Sequence, residues 1–254
     1  MPRTVTFSER SVRNVPGIGT MHIAAGRVSR GGKDVSHVER WLSRWAPLAS
    51  ILAAAGIVVA IFSGGSNSPN DNAPVAQVVK FYTAHAAGQK VSALAGTLGL
   101  IFLVFFAVAL AGRVRARGAG GWLASGVVGG AVLAAAGFLA LLTFSFILGD
   151  DIKFLQPAAA QALNVLDNDF FLPAVAGFAV FGIVGGLAVA VSKAPARWMG
   201  WVLFVVGIAC AVPPISWFAF LATFLWALVA GIWLAVQRSA AVPVHERDVS
   251  LAAA

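Results

Sequence analysis

Charge is what this 254-residue chain has least of. Charged residues make up 11% of it, against about 25% in an ordinary soluble domain. Acids are the scarcest, with ten Asp and Glu against 18 Lys and Arg. There is one cysteine, Cys210, so no disulfide can form within the chain. It falls in an apolar run, where a thiol serves as a small packing residue. One tyrosine, Tyr82, and four histidines leave little material for polar chemistry. A phosphate-cradling P-loop, an HExxH helix and paired Cys/His ligand spacings are all missing. The sequence therefore offers no cofactor motif and no metal motif, and none is expected.

What the chain does have is apolar sequence. It is 59% hydrophobic with a mean hydropathy of +0.85. Its charges cluster and leave uncharged windows at 45–70, 91–112, 118–149, 170–192 and 198–237. About 20 apolar residues span a hydrocarbon core roughly 30 Å thick. The last window has room for two crossings, and Pro213-Pro214 splits it, because adjacent prolines remove backbone donors and disfavour helix at Val212. The expected fold is all-α, a polytopic transmembrane helix bundle with six spans near 45–63, 91–112, 121–145, 171–192, 197–213 and 215–237. This bundle, residues 41–237, lies between a basic tail at 1–40, read as mostly disordered, and a polar tail at 238–254. Nothing in 1–20 is needed for the membrane fold, so Met21 is an alternative start. Val38, Trp41, Leu42 and Trp45 recur at helical spacing, which predicts a short surface helix over Ser36–Arg44 leading into the first span. A cleaved signal peptide is the competing reading of 45–63, but 44 residues precede it, too many for a normal leader.

Six spans put both termini on one side, and the basic residues say which. Segments 1–44, 113–117, 193–197 and 238–254 carry 15 of the 18 Lys and Arg, while the other set of loops carries only Lys80, Lys90 and Lys153. The positive-inside rule then places both termini in the cytoplasm, with the protein in the plasma membrane. The net charge of +8 is mostly this orientation signal. It is spread over four segments with no nucleic-acid module, so no nucleic-acid partner is expected. The expected partners are the lipid bilayer and an unidentified membrane protein. Trp45, Trp122, Trp198 and Trp201 fall at cytoplasmic span ends, as an aromatic belt requires.

Helix packing also leaves a trace. Gly126 and Gly130 form a GxxxG in the third span, and Gly182 and Gly186 form one in the fourth. Small residues four apart let backbones approach where lipid supplies no hydrophobic drive. Their matched depth predicts that the two motifs face each other.

Inside the spans no ionisable residue appears beyond Arg197 at the mouth of the fifth. Such residues mark proton relays and ion paths. The span hydroxyls, among them Ser92, Thr143, Ser145, Ser192 and Thr223, are expected to bond back to their own helices. Polar chemistry is left to the outer loops. In the first, Pro74 is followed by a stripe of Val75, Val78, Val79, Tyr82 and Ala86, with Gly88 as the expected stop; in the second, Pro157 opens a short helix. His85 and Tyr82 lie three apart in the first. Asp150, Asp151, Asp167 and Asp169 lie in the second. A His with carboxylates can hold a divalent metal or do acid–base work. The plainer reading is that the acids are solvated and pin their loop outside, since an Asp at mid-membrane costs about 2.5–3.5 kcal/mol.

The segment Phe81-Tyr82-Thr83-Ala84-His85 forms an FYxxH pattern, and Arg197-Trp198-Met199-Gly200-Trp201 forms an RWxGW pattern. Over about 70–237 the chain resembles a broad group of bacterial six-helix integral membrane proteins with no assigned activity. The resemblance implies architecture and marks Phe81, Tyr82, His85, Trp198, Gly200 and Trp201 as positions to test. The leading functional expectation is a non-enzymatic accessory or assembly protein. A small-molecule transporter is the alternative, and a membrane enzyme with an outer site near His85 the third.

Overall fold

The computed structural model describes residues 32–64, 68–118 and 120–239, with side chains placed for 45–64, 68–118 and 120–237. These residues form eight α-helices and no strand. They are α1 (Gly32–Ser63), α2 (Val75–Ala84), α3 (Ala86–Ala116), α4 (Gly121–Asp151), α5 (Pro157–Asp169), α6 (Phe171–Ser192), α7 (Arg197–Cys210) and α8 (Ser216–Ser239). The tails at 1–31 and 240–254 lie outside the described residues. Gly32–Arg40, expected in the tail, belongs to α1, so the predicted surface helix and the first span are one element.

Five segments are long and apolar enough to cross a membrane: Trp45–Ser63, Ala86–Ala116, Gly121–Asp151, Pro157–Ser192 and Pro213–Gln237. The fourth is interrupted at Phe170. Its first part, α5, carries Gln161, Asn164, Asp167, Asn168 and Asp169, and we read only α6 as its spanning portion. The remaining apolar helix, α7, has 14 residues. At 1.5 Å per residue it is about 21 Å long, short of a hydrocarbon core of about 30 Å. The cause is local. Val212 is extended (φ −104°, ψ 105°) before Pro213, and a 3-10 turn at Pro213–Ile215 leads into α8. The second and third spans run past the expected ends at 91–112 and 121–145. At 31 residues each, about 46 Å at 1.5 Å per residue, they are longer than a hydrocarbon core of about 30 Å, so their terminal charges lie beyond its reach. Lys90 of α3 pairs with Asp150 of α4 there, in an exposed contact that stabilises little.

Glycine sets the packing. The α4–α6 pair is antiparallel: a Cβ on Gly130 would lie 2.6 Å from the Phe181 Cα, and one on Gly177 would lie 2.3 Å from the Ala134 nitrogen. Gly126 meets the Val184 side chain. The expected opposition of the two GxxxG motifs is corrected here. Gly182 and Gly186 turn to α7, where they meet Gly207 and Phe204, while Gly200 of α7 meets Ala190. A helix has several faces, and α6 uses one for α4 and another for α7. Gly88 also departs from expectation. It lies within α3, against the Ser63 carbonyl, and the helical break falls three residues earlier at His85.

Aromatic rings fill the centre. Phe138 of α4 stacks on Phe220 of α8 at 4.7 Å, and Phe178 of α6 meets Phe220 edge-on at 5.0 Å. Phe224 completes the cluster. Trp226 is buried and donates its indole N–H to the Met199 carbonyl at 2.9 Å, tying α8 to α7.

Candidate functional site

The two long loops fold onto each other at one end of the bundle. Pro74 precedes α2 in an extended conformation, and Pro157 opens α5 at a position where its missing N–H costs nothing. α2 turns Val78 and Tyr82 inward; α5 turns Ala160 and Asn164 inward. With Leu148 and Ile152 from the end of α4 these side chains make a small second core, separate from that of the bundle.

A polar network runs through this cap. The Tyr82 hydroxyl donates to Asp167 Oδ2 at 3.0 Å, and the Ser145 hydroxyl donates to Asp167 Oδ1. Asn164, fully buried, lies farther from the phenol at 3.5 Å, so the single phenolic proton goes to the carboxylate. Three amides of α5 then hold the backbone of the first loop. Gln161 Nε2 donates to the Asp71 carbonyl at 2.7 Å, Asn164 Nδ2 to Asn70 at 3.2 Å and Asn168 Nδ2 to Pro69 at 3.0 Å. Gln161 Oε1 is buried without a donor.

Burial pushes the Asp167 carboxyl above the usual carboxylate range, and the hydrogen bonds from Ser145 and Tyr82 pull it part of the way back. Burial, then the Asp167 charge and the hydrogen bond to it, push the Tyr82 phenol up, so it remains a neutral donor. The arrangement joins α2, α4 and α5 at one carboxylate and leaves the phenol no access to solvent.

The four acids are therefore not equivalent. Asp150, Asp151 and Asp169 are exposed, as boundary charges should be; Asp167 is not. His85 is exposed. Its Nδ1 contacts the Phe81 carbonyl of its own helix at 2.9 Å and its ring stacks on Phe81, and no bond joins it to any of the acids. Among the described residues no group of three or more His, Cys, Asp or Glu side chains could hold a metal ion. Ser145 corrects a second expectation. Thr143 and Thr223 do bond back to their own helices, at Leu139 and Ala219, but Ser145 reaches α5 and Ser92 reaches the Ala60 carbonyl of α1. Asn164, Asn168 and Gln161 were not singled out by sequence. Their spacing of three and four on one amphipathic turn is the signal that could have found them.

The chain matches no protein-family profile, no curated protein and no solved structure.

Proposed function

We propose that this chain is a six-span, non-enzymatic protein of the plasma membrane with both termini cytoplasmic, and that it serves as an accessory to another membrane protein through its capped outer face. The resemblance on the FYxxH and RWxGW patterns fits this architecture. The observation that carries the reading is the filled interior. Phe138, Phe178, Phe220 and Phe224 pack ring against ring between α4, α6 and α8, where a permease would need polar lining. The sixth crossing is α7. It runs antiparallel to α6 along a glycine-lined contact, and the 3-10 turn extends its reach toward the opposite side.

Topology is tested by cysteine labelling in a Cys210→Ala background. Cysteines at Ser68 and Ala159, both exposed on the cap, are expected to react with an impermeant maleimide in intact cells. A cysteine at Ala116, exposed at the other end, is expected to react only after permeabilisation. The opposite pattern overturns the orientation. Ser68 and Ala116 reacting alike would show an odd number of crossings before α4.

The accessory role is tested from Phe154, which is 85% exposed on the turn before α5. A photocrosslinker at this position in native membranes is expected to yield a discrete adduct with one second protein, absent when Asp167→Ala loosens the cap. Adducts with lipid alone would sink the proposal.

A further inference from the structure

At the end of the bundle opposite the cap, α3, α8 and the α6–α7 turn enclose a cleft of about 260 Å³. Its polar wall is Arg113, Arg117 and Gln237, and its apolar wall is Leu234 and Pro195. Arg113 in the last turn of α3 and Arg117, the residue that caps it, are four apart, and both line the cleft. Arg117 is held in place: its Nη1 donates to the Lys193 carbonyl at 2.8 Å. That carbonyl is presented where α6 ends, at a residue in the left-handed region (φ 56°). A guanidinium has five N–H donors in a rigid fork, so one bond to a carbonyl leaves donors for a second acceptor. Lys193 and Arg197 add charge at the same end. All five acids among residues with described side chains, Asp71, Asp150, Asp151, Asp167 and Asp169, lie at the cap end.

The depth of the cleft identifies the anion. Trp198 and Trp233 meet edge-on at 6.5 Å and are 55% and 42% exposed. Trp122 begins α4 at the same end, 72% exposed. Tryptophans exposed in a ring around helix ends sit at headgroup level. A cleft at that level with two arginines on one wall and leucine and proline on the other matches an amphiphile. Basic pockets between helix ends suit anionic headgroups. We propose that this cleft is a binding site for the phosphate of an anionic glycerophospholipid, with Arg113 and Arg117 as its fork donors and Gln237 as a neutral donor. The proposal rests on the membrane-spanning reading. That reading is checked separately, because a chain that is not embedded would leave the membrane fraction in alkaline carbonate.

The test is native mass spectrometry of the full chain in mild detergent, titrated with phosphatidylglycerol, with phosphatidylcholine and with inorganic phosphate. One phosphatidylglycerol is expected to be retained in preference to phosphatidylcholine. The Arg113→Gln/Arg117→Gln variant is expected to hold it about 25-fold more weakly, from about fivefold per basic group. Arg115→Gln, on the same helix but exposed and outside the cleft, is expected to change retention little. Equal loss in Arg115→Gln would mean a diffuse field rather than a site, and would overturn the proposal. Retention of inorganic phosphate as strong as that of the lipid would overturn the lipid assignment. Hydrogen exchange on the parent protein tests the site without a variant. Phosphatidylglycerol, and not phosphatidylcholine, is expected to protect 113–118 and 193–197, and no difference between the two lipids would overturn the proposal.

Discussion

Gly130→Ala is expected to destabilise the bundle, while Gly129→Ala, one residue away, is expected to leave it unchanged or slightly more stable. Both glycines are in the interior of α4, where replacing Gly by Ala in a helix contributes about 0.5–1 kcal/mol by itself. The surroundings decide the sign. A Cβ on Gly129 meets nothing within 4 Å. A Cβ on Gly130 falls 2.6 Å from the Phe181 Cα and 2.7 Å from its nitrogen. Backbone cannot rotate away as a side chain can, so α4 and α6 must separate. Overpacking of this kind costs about 1–3 kcal/mol, and parting two helices also strips dispersion contacts along the seam. Gly186→Ala is expected to behave like Gly130→Ala through a different seam, since its Cβ would lie 2.4 Å from the Phe204 nitrogen of α7. The two should add when combined, because they act on separate interfaces. Denaturant unfolding in detergent, followed by tryptophan fluorescence, measures all four. Equal midpoints for Gly129→Ala and Gly130→Ala would remove the α4–α6 contact as described.

These glycines show what sequence could and could not say. That small residues four apart make helix contacts follows from sterics and was legible at Gly126, Gly130, Gly182 and Gly186. The partner of Gly126 and Gly130, α6, followed from matched depth; the partner of Gly182 and Gly186, α7, did not. Matched depth is compatible with any neighbour running antiparallel, and only assembly showed that α6 gives Gly177 to α4 and Gly182 and Gly186 to α7. Helix existence was legible from the uncharged windows, and the break before Pro213 from backbone chemistry. Helix ends were not, because α3 carries Lys90 near its start and α4 carries Asp150 in its last turn, where charge and helix coexist. The cap was legible in outline, from two prolines and two apolar stripes. Its polar core was not. Asp167 and Ser145 are 22 residues apart on different helices, and nothing in the spacing of DNDF distinguishes Asp167 from Asp169 except which side of α5 faces inward. The pairing of His85 with the acids failed for a related reason. Both sit at the same end, yet α2 turns Tyr82 toward α5 and leaves His85 exposed.

Substitutions at Asp167 are expected to separate three variants that a boundary charge would leave alike. Asp167→Ala removes the acceptor for Tyr82 and Ser145. Burying a polar group without its partner costs about 1–3 kcal/mol, and some recovery comes from Ser145 bonding back to its own helix, so a loss of about 2 kcal/mol is expected. Asp167→Glu keeps the charge but adds a methylene to a site enclosed by α2, α4 and α5, and about 1–3 kcal/mol should again be lost. Asp167→Asn keeps an acceptor oxygen for the phenol, and its amide can donate to the Ser145 oxygen, so it is expected to fold as well as the parent. The pH dependence then tests the electrostatics. Burial raises the Asp167 pKa in the folded state above the ordinary carboxyl value of 3.8. A carboxyl that holds its proton more tightly when folded contributes stability below the unfolded pKa. That contribution is lost as pH rises through the folded pKa. Parent stability relative to Asp167→Asn should therefore fall as pH rises from about 4 and level off once the folded carboxyl has ionised. Tyr82 contributes nothing to this slope, because its own shift is upward from an already high pKa. Unfolding midpoints of the parent and Asp167→Asn in detergent, compared across the acid-to-neutral range, give the measurement. A difference that does not change with pH would mean that Asp167 is as solvated as Asp169, and the cap would then lack the buried carboxylate that joins its three helices.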